Sequence, residues 1–149
     1  MALDRIDWHS GAENFPAELP NEAGGIHIGM FLAWIINNDL ISDEHINESS
    51  ESLALVKQRK MTGTEFLIKE CDEKFWETDL NNEGLAFAQA YYETDDYFED
   101  YEAALSSNEP TLYHVKDSWS NYQKLEPLIT SAFKNWRKPE RPKWWKFWE

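Results

Sequence analysis

The sequence predicts an all-α protein: a single compact domain of about six helices around a central buried helix, with an extended N-terminal arm. Three observations predict it. The stretch Gly24 to Leu40 is apolar on every side, and His27 is the sole strongly polar side chain between Ile26 and Ile36. No helical rotation of that stretch offers water a polar face. Downstream, apolar residues recur at three- and four-residue spacing behind helix-capping signals. No stretch alternates convincingly enough to be read as a strand.

The central helix comes first in importance. Gly24 and Gly25 open it, and Asn37, Asn38 and Asp39 close it. About 13 residues at roughly 1.5 Å each reach about 20 Å, too short for a bilayer span of roughly 20 residues. It is a core helix. Before it, residues 1–23 carry Gly11, Pro16 and Pro20 among the apolar anchors Ile6, Trp8, Phe15 and Leu19. That spacing suits neither helix nor strand and predicts an extended arm over the core, with Trp8 and Phe15 its most buried side chains.

After it, Ser42-Asp43-Glu44 supplies an N-cap and an acidic first turn for one or two short helices ending near Lys57 to Lys60. Thr62-Gly63-Thr64-Glu65 has the spacing of a capping box, and a helix follows in which Leu67, Cys71 and Phe75 fall four apart. Asp79 to Glu83 breaks the chain. Leu85 to Tyr92 then predicts a nearly all-apolar helix beside the central one. From Glu93 to Glu102, Tyr97, Phe98 and Tyr101 recur at helical spacing and continue to Leu105. This places Asp95, Asp96, Glu99, Asp100 and Glu102 together on the outer face as an acidic ridge. Leu112 to Val115 reads as a short extended piece. The last helical region starts near Ser118 with the stripe Tyr122, Leu125, Ile129, Phe133 and Trp136, and Pro127 requires a new helix to start there.

Length fits one domain, residues 1–138, followed by a basic aromatic tail, residues 139–149. Eight Trp, eight Phe and six Tyr predict a core rich in ring contacts. Cys71 is alone, which excludes an internal disulfide and fits a reducing compartment. Met1 to Arg5 lacks the basic and apolar regions of a secretory signal, so the expected location is cytoplasmic.

Formal net charge is -14, unevenly spread. Residues 134–149 hold six Lys/Arg against two Asp/Glu, which leaves the preceding body with 8 basic and 26 acidic residues. Such a body repels nucleic acid and steers a basic protein partner towards itself. In the tail, Trp144, Trp145 and Trp148 alternate with lysines, a pattern suited to an acidic protein groove, a membrane surface or the chain's own acidic body.

Motifs of catalysis and cofactor binding are missing from the spacing. His9, His27, His45 and His114 form no metal-ligand pair. The acidic run Glu70 to Asp79 lacks the glycine of a calcium loop, and Gly24 to Gly29 lacks the Lys-Ser/Thr ending of a phosphate loop. Cys71 continues the apolar stripe and reads as a small core residue. The expectation is no catalytic, cofactor or metal site, with partner-binding residues on the ridge and in the tail.

Four segments together carry a resemblance: His27 to Trp34 (HIGMFLAW), Glu65 to Leu67 with Phe75-Trp76 and Asp79-Leu80, Tyr97 to Tyr101, and Tyr113 to Trp119 (YHVKDSW). They resemble an uncharacterised family of small acidic bacterial cytoplasmic proteins, similar to the immunity proteins that accompany secreted polymorphic toxins. The resemblance covers most of residues 4–136 and implies a non-enzymatic protein that binds and neutralises a cognate, basic toxin domain. It carries no catalytic residue over, and the tail lies outside it. The competing expectations are a peripheral membrane or scaffold protein using the Trp/Lys tail, and an enzyme with a site around His27.

Overall fold

In the computed structural model, which describes residues 1–138, the chain winds around α2 (Ile26–Asn37). Every residue from His27 to Ile36 is buried, and Phe31, Trp34 and Ile35 are fully so, as apolarity on all sides of one short helix demands. Seven further α-helices surround it: α1 (Ile6–Ser10), α3 (Asp43–Glu48), α4 (Ser50–Lys57), α5 (Gly63–Cys71), α6 (Asn82–Tyr91), α7 (Asp96–Tyr101) and α8 (Trp119–Arg137). The domain is all-α in character, with one small two-stranded sheet. No helix among the described residues is long and apolar enough to cross a membrane.

Local chemistry places the helix starts. Ser42 accepts from the His45 backbone N–H, Asn81 from Gly84 and Ser118 from Asn121, while Thr62 and Glu65 close both halves of the capping box on α5. α5 crosses α2 where Gly29 faces Gly63 and Thr64 so closely that no Cβ fits at either glycine. α8 closes the other side of α2. There Trp34 Nε1 donates to Thr130 Oγ1 at 3.0 Å, and Trp34 meets Phe133 edge-on at 5.2 Å. α6 reaches α2 through Phe87, whose ring lies 6.1 Å from Phe31 and 5.4 Å from Trp34.

Four expectations are corrected. The N-terminal arm is not extended throughout: Ala2–Arg5 is strand β1, α1 follows, and Asn21–Gly25 is a 3-10 turn. Its buried anchor is Ile6, 2% exposed, whereas Trp8 is 54% exposed under Arg5 and Phe15 is half-buried against Tyr113. Strands exist after all, because α5 stops at Cys71. Asp72 and Glu73 take left-handed φ of 52° and 64°, and Lys74–Trp76 becomes β2, antiparallel to β1. Phe75 is therefore buried from a strand, and three residues are too few for alternation to show. Leu112–His114 is a 3-10 turn, not an extended piece. Finally, α8 runs unbroken through Pro127. Pro127 and the residue whose carbonyl it frees, Gln123, both face solvent, so water satisfies that carbonyl while Tyr122, Leu125, Ile129 and Phe133 pin the helix on both sides.

Candidate functional site

The acidic ridge lies on α7 and continues into a π-helical turn, Glu102–Ser106. Tyr97 and Tyr101 anchor α7 in the core, so the carboxylates between them are turned outward. Asp95, Asp96, Glu99 and Glu102 are exposed. Asp100 departs from the expected pattern. It is half-buried and accepts a 2.6 Å hydrogen bond from the Tyr91 hydroxyl, whose pKa is pushed up first by burial and then by this bond. Among the described residues no Lys or Arg pairs with any of the five.

The ridge borders a groove of about 320 Å³ between α6, α7 and α8. Phe87, Tyr91 and Trp136 line it, but Phe87 and Tyr91 are buried and stacked on each other, so Trp136, 38% exposed, is the ring left open to solvent there. Asp96, Glu99 and Asp100 form its rim on the α7 side. An exposed indole beside carboxylates is a suitable seat for a cationic side chain, which gains from both. Trp144, Trp145 and Trp148, also expected to bind a partner, lie outside the described residues.

Two polar clusters that no spacing announces are assembled in the interior. In the first, Asp4 of β1 accepts from Tyr92 (2.6 Å), His9 Nε2 (2.8 Å), His27 Nε2 (3.2 Å) and its neighbour's backbone, Arg5 N–H (2.8 Å). Burial alone raises the Asp4 carboxyl, but the hydrogen bonds from His27 and His9, with their charges, outweigh it and hold the group well below the ordinary carboxylate range. Burial drives His27 the other way for a base, below its ordinary value, against the pull of Asp4. A carboxylate only accepts, so both imidazoles present Nε2–H to it. His9 Nδ1 then accepts from the Tyr113 hydroxyl at 2.7 Å, and His27 Nδ1 has no partner among the described residues. Asp4, His9 and Tyr113 thus stand in the order carboxylate, imidazole, hydroxyl. Burial, then the Asp4 charge, raises the Tyr113 pKa above its ordinary value.

In the second cluster, His45 Nε2 lies 2.8 Å from Asp79 Oδ1 and 3.8 Å from Cys71 Sγ, and His45 Nδ1 lies 3.0 Å from Ser49 Oγ. All four residues are buried. Burial, then the charges of Asp79 and Glu70, pushes the Cys71 thiol up, so no free thiolate is available as a nucleophile.

Residues 2–115 match a family described as a domain of unknown function, DUF7832. The chain belongs to that family. No curated protein and no solved structure matches it. The DUF7832 match contains both polar clusters whole, together with α6 and α7, and ends before α8. The acidic groove is therefore built between the DUF7832 region and a helix beyond it.

Sequence reasoning placed the ridge and missed the groove and both clusters. The ridge repeats at helical spacing and is visible locally. The clusters join β1 to α1 and α2, and α3 to the end of α5 and the 3-10 turn Glu77–Asp79, so no fixed spacing marks them. The one available signal was His27, a lone polar side chain in an otherwise apolar helix that needs a buried partner.

Proposed function

We propose that this protein is a non-enzymatic bacterial cytoplasmic binding protein, of the immunity type, that neutralises a cognate basic toxin domain by seating one of its Arg or Lys side chains in the groove between α6, α7 and α8. The observation that supports the reading is the exposed Trp136 ring in a groove rimmed by Asp96, Glu99 and Asp100. The acidic body adds long-range attraction, and the HIGMFLAW and YHVKDSW segments resemble an uncharacterised family of small acidic proteins that is similar to immunity proteins, which agrees with this reading. Like charges crowded on one short face repel one another, so a partner's cation relieves the arrangement.

The test takes the toxin domain encoded beside this gene and measures association rate against ionic strength. Asp96→Asn with Glu99→Gln leaves Asp100 and its Tyr91 bond in place. Association at low salt should slow by about tenfold and its salt dependence should flatten, because rim charges act mainly on the on-rate. Trp136→Ala should instead speed dissociation. Unchanged rates and salt slopes in the double variant would sink the proposal, as would a neighbouring toxin that does not bind at all.

A further inference from the structure

We propose that His45, Cys71 and Asp79 form a binding site for one thiophilic divalent cation of the zinc class, independent of the partner-binding groove. The donor atoms of the three side chains all lie within 4.8 Å of one another. Ligands about 2.0–2.3 Å from a tetrahedral zinc sit about 3.3 Å apart for N and O, and about 3.6 Å apart for N and S. The observed separations are 2.8 Å from His45 Nε2 to Asp79 Oδ1 and 3.8 Å from the same nitrogen to Cys71 Sγ. Carboxylate and sulfur thus converge on one imidazole nitrogen, and without an ion the Asp79 carboxylate faces both the imidazole Nε2–H and the Cys71 thiol. A cation in that position satisfies all three.

The outer atoms of the ligands are held as a metal site needs them. When Nε2 coordinates, the ring carries its proton on Nδ1, where Ser49 Oγ at 3.0 Å accepts it, and Asp79 Oδ2 accepts the Trp76 backbone N–H at 2.7 Å. Phe66 packs against the His45 ring at 5.3 Å and fixes its plane. One sulfur, one imidazole and one carboxylate favour zinc, cobalt or cadmium over the oxygen-seeking magnesium and calcium. Three protein ligands leave a fourth position for water. The other cluster is a weaker candidate. Asp4 there already takes four donors, and coordination through His27 Nε2 would leave a proton on Nδ1, which has no acceptor.

Coordination displaces the Cys71 thiol proton to solvent and forms the sulfur–metal bond without any change of oxidation state. Cys71 is the chain's only cysteine, so the test is unambiguous. The full chain, stripped with chelator and kept reduced, is titrated with Co²⁺. The expected result is saturation at one cobalt per chain, with a thiolate-to-cobalt charge-transfer band in the near ultraviolet and the intensified visible bands of four-coordinate cobalt. Zn²⁺ should abolish both and raise the melting temperature. Cys71→Ser should lose the charge-transfer band while keeping its helical circular dichroism, and Ser49→Ala should weaken zinc binding about ten- to a hundredfold. Absence of the band in the wild-type chain at stoichiometric cobalt overturns the proposal, as does equal zinc affinity in Cys71→Ser.

Discussion

Replacing Asp4 by Asn removes a buried negative charge without changing the volume of the side chain. In the native protein Oδ1 takes the Arg5 backbone N–H and His9, and Oδ2 takes Tyr92 and His27. Whichever position the amide nitrogen of Asn occupies, it confronts two donors with a donor. Two buried donors then lack acceptors, at about 1–3 kcal/mol each, and relief from burying a charge returns part of that. The expected loss at about pH 7 is therefore about 3 kcal/mol. The pH dependence makes the prediction sharper. The Asp4 pKa is depressed in the folded state, so its contribution is full above the unfolded value of about 3.9 and is lost as pH falls towards the folded value. His27 is also depressed, by burial, so its neutral form holds full stability above about pH 6.5 and stability falls below that as the unfolded chain takes up the proton. Wild type should weaken in two stages on acidification, and Asp4→Asn should retain the first stage and lose the second. Urea unfolding followed by Trp fluorescence from about pH 1.5 to about pH 8 follows the first stage and most of the second. A variant as stable as wild type at neutral pH, with an unchanged acid limb, would refute the assigned network.

Three further outcomes follow from the packing. Gly29→Ala drives a Cβ into the backbone and hydroxyl of Thr64, so overpacking of about 1–3 kcal/mol or more should exceed the helix-propensity gain of about 1 kcal/mol. Chemical denaturation should show a net loss, and a stabilised variant would contradict the close crossing of α2 and α5. Pro127→Ala restores a missing backbone donor at a solvent-facing position of α8 and should stabilise by about 1–2 kcal/mol, read as a higher melting temperature. No rise would mean that α8 is already adapted to the proline. Burial raises Tyr92 and Tyr97 well above their ordinary value, so their contribution is full below about pH 10 and is lost as pH rises beyond it. Tyrosinate absorbance from these two rings should appear together with unfolding; complete ionisation in a chain that is still folded would show them to be accessible.

The amino-acid sequence by itself determined the features whose causes lie within a few residues. α2 is central because Ile26 to Ile36 offers no polar face in any rotation, and α3, α5 and α8 begin where Ser42, Thr62 and Ser118 can cap an N–H three residues ahead. The acidic ridge was legible for the same reason: Tyr97 and Tyr101 lie one turn apart, so burying both turns Asp96 and Glu99 outward. Tertiary structure decided the rest, since contact between residues far apart in sequence depends on the path of the chain between them. Glycine's value at Gly29 appears only where α5 crosses, and β1 becomes a strand only because β2 lies beside it. Trp8 looked like an anchor by type, but α1 turns Ile6 inward and leaves the indole outside. Both histidine clusters belong to this second class. His9 and His27 are 18 positions apart and meet only because α1 packs on the turn leading into α2, while Asp79 reaches His45 through a bridge between Ile41 and Leu80. Burial then sets their chemistry: a carboxylate, an imidazole or a thiol carries no fixed proton affinity until the fold has chosen its neighbours and removed its water.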